Sequence, residues 1–182
     1  MTVYFSLSAA LLALTAGAHA EIQSWKRIPL GPSGFTIEVP ADEGVFKRDV
    51  TIVHKDGGGS YGSDYTLTDW GPNMQWNDMI RVSYNQNWDE SATGLDYLTK
   101  NEKTIPNFPP IQKRERGGRL VYEFGWRRKL APKDPVSIEV NYIVELAKNR
   151  YLYLMFDCRE ASLDAYSAIY RHMRESLAPA AK

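Results

Sequence analysis

The chain has 182 residues, with 22 Lys plus Arg and 22 Asp plus Glu, so its formal net charge is zero. A hydrophobic fraction of 43% and an aromatic fraction of 12% exclude a wholly disordered chain. The charge balance argues against a nucleic-acid partner held by overall positive charge. The length predicts one domain.

The first 20 residues resemble a secretory signal peptide. They contain no Lys, Arg, Asp or Glu, Leu7 to Ala18 is a run of apolar and small residues, and Ala18-His19-Ala20 fits a cleavage site. The run is shorter than the roughly 18 residues of a membrane-spanning helix. Despite an N-terminal region without Lys or Arg, we expect cleavage after Ala20. The expected product is a single periplasmic or secreted domain, residues 21–182, with no stable membrane insertion. A buried N-terminal helix or a membrane anchor is the alternative.

The N-terminal half of the expected domain alternates apolar and polar residues with a period of two, which indicates β-strands. Residues 24–34 have the Pro and Gly content of an irregular lead-in, and a helical spacing of Leu95 and Leu98 follows the strands. The predicted elements are strands over 34–40, 50–55, 61–68 and 80–84 and a helix over 89–104.

The C-terminal half predicts four more strands and a second helix. Arg116-Gly117-Gly118 and Ala147 to Arg150 have the composition of hairpin turns. An amphipathic face runs from Leu163 to Leu177. The predicted elements are strands over 111–115, 119–127, 136–146 and 151–156 and a helix over 162–177. Consecutive strands joined by short turns predict an α+β sandwich, with a mainly antiparallel sheet flanked by two helices.

Gly34-Phe-Thr-Ile-Glu-Val-Pro40 resembles the opening motif GFxIxxP of the PsbP-like and DcrB-like families. The ending is also similar, because an apolar strand over 151–156 precedes a terminal helix. These families share their antiparallel sheet and flanking helices with the Ran-binding Mog-type proteins. The resemblance implies an α/β sandwich of the PsbP/Mog type and a non-catalytic domain that binds or stabilises another protein. It supplies no catalytic residue.

The residue types of catalytic and metal sites are sparse. The chain lacks the HExxH, CxxC, GxSxG and P-loop motifs, so we expect no catalytic residue, no metal and no cofactor. Cys158 follows an apolar strand, which favours a buried thiol over a nucleophile activated by His172. A calcium loop over 56–64 is disfavoured because Asp56 and Asp64 are its only carboxylates.

Basic residues flank one predicted hairpin and could select an acidic partner by electrostatics. The alternative is a solvated hairpin whose charges discourage edge pairing. The residues are Lys113, Arg114, Arg116 and Arg119, followed by Arg127, Arg128 and Lys129.

An aromatic segment, residues 70–76, contains Gly71-Pro72 and is therefore predicted to be a loop. Tryptophan contributes large contact area at binding sites, although the same residues could pack over the end of the sheet. The candidate binding residues here are Trp70, Asn73, Met74 and Trp76, together with Trp88 beyond the next strand.

These features predict an exported, non-enzymatic protein-binding domain of the bacterial envelope. Its partner would be another envelope or secreted protein, and an immunity or chaperone-like accessory role fits. The alternatives are a hydrolase with a spatially assembled site and a glycan-binding module, because tryptophans also stack on sugar rings.

Overall fold

The computed structural model describes residues 22–53, 58–67, 78–87, 95–104, 108–129 and 132–181. Within these ranges, two helices and ten strands form an α+β fold with two antiparallel sheets, which confirms the predicted fold class. The large sheet has seven strands in the order β3-β4-β5-β9-β8-β7-β6, and the small sheet has the order β1-β2-β10. The strands are β1 (Trp25–Pro29), β2 (Phe35–Pro40), β3 (Phe46–Val53), β4 (Gly59–Thr66), β5 (Met79–Gln86), β6 (Gln112–Arg116), β7 (Arg119–Arg128), β8 (Ser137–Ala147), β9 (Arg150–Arg159) and β10 (Ala178–Pro179). The helices are α1 (Leu95–Thr104) and α2 (Leu163–Ser176).

The prediction of irregular structure over 24–34 is wrong for the first half of this segment, which forms β1. Trp25–Pro29 pairs with β2 in antiparallel register, with Ile28 opposite Ile37. The five residues of β1 lack the alternation of apolar and polar side chains that indicates a strand, because Lys26 and Arg27 are adjacent and both exposed. Pairing with β2 and a ring stack between Trp25 and His172 make this segment a strand.

The main core lies between one face of the large sheet and a second layer made of α2 and the small sheet. The apolar face of α2 is buried as its spacing predicts, and β2 contributes alternate residues. The buried residues include Ile37, Val39, Tyr166, Ile169, Tyr170 and Met173.

A second, smaller core covers the opposite face of the large sheet. Successive residues of β8 face opposite cores: Tyr142 and Val144 lie in the main core, whereas Ile143 lies in the second. Leu95 from α1 and Phe108 pack over that second face. The part of the large sheet formed by β7, β8 and β9 is therefore covered on both faces.

Two tight turns set the register of the hairpins. Gly117 and Gly118 both have positive φ, 59° and 71°, as a two-residue turn between β6 and β7 requires. Asn149, with φ 58°, serves the turn between β8 and β9. Both predicted hairpins are present, and β6–β7 carries two of the predicted basic residues, Arg116 and Arg119, on either side of its turn.

Candidate functional site: an arginine-lined cleft

A cleft opens where the β6–β7 hairpin, the C-terminal turn of α2 and the small sheet meet. Its volume is about 190 Å³. Apolar and aromatic side chains form part of its wall, and three arginines lie around it. The residues that matter for its chemistry are Phe35, Arg116, Arg119, Tyr142, Val144 and Arg174. We call this the arginine cleft.

Arg119 is fixed in place by two contacts. Its Nη1 donates a hydrogen bond of 3.0 Å to the carbonyl oxygen of Leu146 on β8. Its guanidinium carbon lies 5.1 Å from the centre of the Phe35 ring. Neither contact supplies a negative group, so neither offsets the positive charge of this half-buried arginine.

Arg174 reaches the cleft from α2, one turn after the buried Tyr170. It donates a 3.1 Å hydrogen bond to Glu123 and lies 5.7 Å from the centre of the Tyr142 ring. Its Nε is buried without a hydrogen-bond partner, and so is the hydroxyl of Tyr170. Burial raises the pKa of Tyr170 above its usual range, so this hydroxyl stays protonated.

Arg116 is the exposed arginine among the three that line the cleft. It is the last residue of β6, directly before the Gly117-Gly118 turn. It forms no ion pair with any residue that the structure describes. Glu175 is the acidic residue in the lining. The lining contains three arginines and one carboxylate, and Glu123 offsets the charge of Arg174. The cleft therefore keeps a positive charge beside an apolar wall. Such a cleft suits a ligand in which an anionic group lies next to an apolar one.

The remaining predicted basic residues do not join the cleft. Arg114 donates to Gln112 and lies 3.9 Å from Glu123. Arg127 pairs with Glu160 at 2.8 Å, and Arg128 pairs with Glu139 at 2.8 Å. At roughly 3.3 Å per strand residue, Arg127 lies about 26 Å along β7 from Arg119. The sequence cluster therefore divides into two separate groups in space.

The sequence reasoning missed Phe35, Tyr142 and Arg174. Phe35 and Tyr142 are strand residues whose alternation predicts burial but not which neighbour they meet. Arg174 stands on α2, four residues after Tyr170, and this spacing places it beside the buried face of the helix. Helical spacing alone could have singled out Arg174, whereas its position beside Arg119 depends on how α2 crosses the sheet.

The aromatic candidate residues Trp70, Asn73, Met74, Trp76 and Trp88 lie outside the described residues. Their role in binding stays a prediction.

The Cys158 thiol and the His172 imidazole do not have the surroundings of an assembled catalytic pair. Cys158 is buried in the main core, and this burial raises its pKa to about 12. His172 stacks on Trp25 with ring centres 3.6 Å apart, and its Nε2 lies 2.8 Å from Glu38 Oε2. The Cys158 thiol thus has the raised pKa of a buried core residue rather than the lowered pKa of a nucleophile.

Asp64 is unsuited to a calcium loop over 56–64. It is fully buried, and both carboxylate oxygens accept hydrogen bonds from Arg81, with a further bond from Arg48. Among the described residues, no group of three His, Cys, Asp or Glu side chains could hold a metal ion. Asp56 lies outside the described residues.

Among the described helices, none has the length and apolar character to cross a membrane.

The sequence matches no protein-family model and no curated protein. Among solved structures, the chain is similar to the cyanobacterial PsbP (CyanoP) of Synechocystis sp. PCC 6803. The TM-score is 0.51 at 14% identity, over 88% of this chain and 95% of that one. The Ran-binding protein Mog1p of Saccharomyces cerevisiae gives a TM-score of 0.44 at 14% identity, over 86% of this chain and 95% of that one. A Pseudomonas aeruginosa protein of unknown function, a putative regulator, gives 0.39 at 12% identity, over 87% and 99%.

The likeness to the cyanobacterial protein concerns the fold. The predicted resemblance to PsbP-like proteins is confirmed at that level.

Proposed function

We propose that this chain is an exported, non-enzymatic protein-binding domain of the bacterial envelope that recognises an acidic segment of its partner in the arginine cleft. The observation that carries the proposal is Arg116, an exposed cation without an ion pair among the described residues, beside the apolar wall of the cleft. The predicted signal peptide over residues 1–20 supports export.

The cleft favours a carboxylate that is followed or preceded by an apolar side chain. A partner carboxylate would lie between Arg116 and Arg119, where a charge-assisted hydrogen bond contributes about 1.5–3 kcal/mol. The adjacent apolar side chain would cover Phe35 and Val144, both of which line the cleft. Free positive charge also speeds encounter with an acidic partner at low salt.

Arg127 and Arg128 are expected to contribute less to partner binding, because carboxylates of the same chain already pair with them. The aromatic residues Trp70 and Trp76 are proposed as additional apolar anchors for the same partner, on the strength of their residue type alone. An immunity protein that caps a toxin in the periplasm, or a chaperone-like accessory protein, is the specific form of this function that we favour.

Affinity capture tests the proposal. The tagged chain is exposed to envelope extract, and the retained proteins are identified by mass spectrometry. The matched variants are Arg116→Ala in the cleft and Arg127→Ala at the far end of β7; both remove an exposed arginine. We expect one stoichiometric protein, retained by the wild type and by Arg127→Ala, lost with Arg116→Ala, and released as salt is raised.

Three results contradict parts of the proposal. Equal retention by Arg116→Ala and the wild type would move the binding site elsewhere. Retention of no protein at all would overturn the binding function. A chain recovered from the cytoplasm with Met1 intact, rather than from the periplasm beginning at Glu21, would overturn export.

A further inference from the structure

Two arginines of the arginine cleft, Arg116 and Arg119, lie directly opposite each other across the β6–β7 hairpin. Directly opposite residues of an antiparallel pair share one face, with Cβ atoms about 4.5–5.5 Å apart, and like charges in this position repel. Both side chains line the cleft, and within the part of the chain that the structure describes neither forms an ion pair. An anion held between the two guanidinium groups relieves the repulsion, because each group can donate to one of its oxygens.

The apolar wall of the cleft begins immediately beside this anion position. The guanidinium carbon of Arg119 lies 5.1 Å from the centre of the Phe35 ring, and Val144 also lines the cleft. A ligand that places a carboxylate on Arg119 therefore covers the wall only if its apolar group is attached close to that carboxylate. In the last residue of a chain, the α-carboxylate and the side chain are attached to the same Cα. In an extended internal segment, side chains on one face are two residues, about 7 Å, apart.

The size of the cleft also suits the end of a chain. Its volume is about 190 Å³. Pockets that hold a drug-sized ligand have volumes of about 300–1,000 Å³. The cleft therefore has room for one residue rather than for a run of residues.

The sheet edges beside the cleft do not favour a segment that runs through it as an added strand. Among the described strands, β10 is an edge of the small sheet, and its Pro179, which lines the cleft, has no N–H to donate. The N–H of Ala180 already donates to the carbonyl oxygen of Gly34 at 2.8 Å. On the other side, four of the five residues of β6 are charged, which discourages strand pairing. These edges favour a ligand that enters the cleft by its end.

We propose that the arginine cleft binds the C-terminus of a partner chain. The α-carboxylate lies between Arg116 and Arg119, and a large apolar side chain of the last residue, Phe or Leu, covers Phe35 and Val144. Capture of a chain-terminal carboxylate is a recurring mode of peptide recognition. This inference rests on the proposed function and narrows its ligand, because the anionic group is the end of the partner chain and not an internal Asp or Glu side chain.

Isothermal titration calorimetry with short peptides tests the proposal on the full chain, in the N-terminal form that the expression host produces. The reference peptide is acetyl-Gly-Ser-Gly-Phe with a free C-terminal carboxylate. The matched peptides are its C-terminal amide, acetyl-Gly-Ser-Asp-Phe-Gly amide with an internal carboxylate, and the free acid acetyl-Gly-Ser-Gly-Gly. We expect the reference to bind at least about tenfold more tightly than each of the three, because each lacks the terminal carboxylate or the apolar side chain.

Two arginine variants locate the binding site. Arg116→Ala should weaken binding of the reference peptide by about tenfold or more, because it removes a charge-assisted hydrogen bond. Arg127→Ala also removes an arginine from the β7 region and should leave the affinity unchanged, because Arg127 lies about 26 Å from Arg119, beyond the Debye length. Circular dichroism checks that both variants are folded.

The outcomes separate this inference from the proposed function. Equal binding of the reference and the internal-aspartate peptide, both weakened by Arg116→Ala, would overturn the inference and leave the proposed function intact. If no peptide binds at millimolar concentration, the C-terminal ligand is wrong. Carboxypeptidase treatment of the captured partner checks the same point: a truncated partner that the wild type still retains and Arg116→Ala loses keeps the proposed function and refutes the C-terminal ligand. A partner that Arg116→Ala retains as well as the wild type refutes both.

Discussion

Gly62 in the middle of β4 is predicted to be intolerant of any side chain. A Cβ built there would lie 2.0 Å from the carbonyl oxygen of Val82 and 2.6 Å from Cα and Cβ of Ser83 on β5. Ordinary carbon contacts need about 3.5 Å. In Gly62→Ala the two strands must therefore separate locally by about 1 Å or more.

The expected cost combines two terms. Overpacking of a well-packed site costs about 1–3 kcal/mol. A ladder hydrogen bond between β4 and β5 that is lengthened by the separation loses about 1 kcal/mol more. We expect Gly62→Ala to lower the free energy of unfolding by about 3 kcal/mol. For a domain of this size, that loss lowers the melting temperature by roughly 6–12 °C.

Urea unfolding followed by tryptophan fluorescence and circular dichroism measures this difference. Gly44→Ala is the matched control, because a Cβ at Gly44 would meet no atom within 4 Å. We expect the control to stay within about 0.5 kcal/mol of the wild type. If both variants are equally stable, the close approach of β4 and β5 at Gly62 is not real and the reasoning fails.

Met173 is fully buried on α2, so Met173→Ala should lower the free energy of unfolding by about 2–5 kcal/mol, as measured by urea unfolding. The control Arg171→Ala, on the exposed face of the helix, should change it by less than about 0.5 kcal/mol. The hydrogen bond with His172, and then the one from Arg27, hold the pKa of Glu38 below its usual 4.5. The stability that the Glu38 carboxylate contributes is therefore fully present above about pH 4.5, and it is lost as the pH falls through the lower pKa of the folded state. We expect Glu38→Gln to be less stable than the wild type at neutral pH and to approach it in acid. Urea unfolding across that pH range measures the difference. The raised pKa of Cys158, about 12, predicts that a thiol reagent at mildly alkaline pH reacts only after urea unfolds the protein; reaction in the native state would contradict its burial.

Strand and helix periodicity predicted most of the described elements. The structure extends the predicted strand over 50–55 back to Phe46, and it extends the strand over 151–156 on to Arg159. In both cases the added residues include charged side chains that weaken the apolar alternation but have ion-pair partners, as Arg159 has in Asp78 at 2.8 Å. Partners of this kind come from distant parts of the chain and leave no local trace in the sequence.

The candidate site was predicted in part. The hairpin turn at Gly117-Gly118 and its basic residues follow from local composition, and Arg116 and Arg119 do lie together at the cleft. The sequence could not tell them from Arg127 and Arg128, because that distinction depends on which arginines meet a carboxylate across the sheet.

The sequence alone determined the elements with a strong period, the two glycine and asparagine turns, and hence an antiparallel α+β fold, because these depend on residues close together in the chain. Only the tertiary structure decided that Trp25–Pro29 is a strand and that Arg174 and Phe35 complete the arginine cleft. Each of these depends on contacts between residues far apart in sequence, and packing of the whole domain sets such contacts.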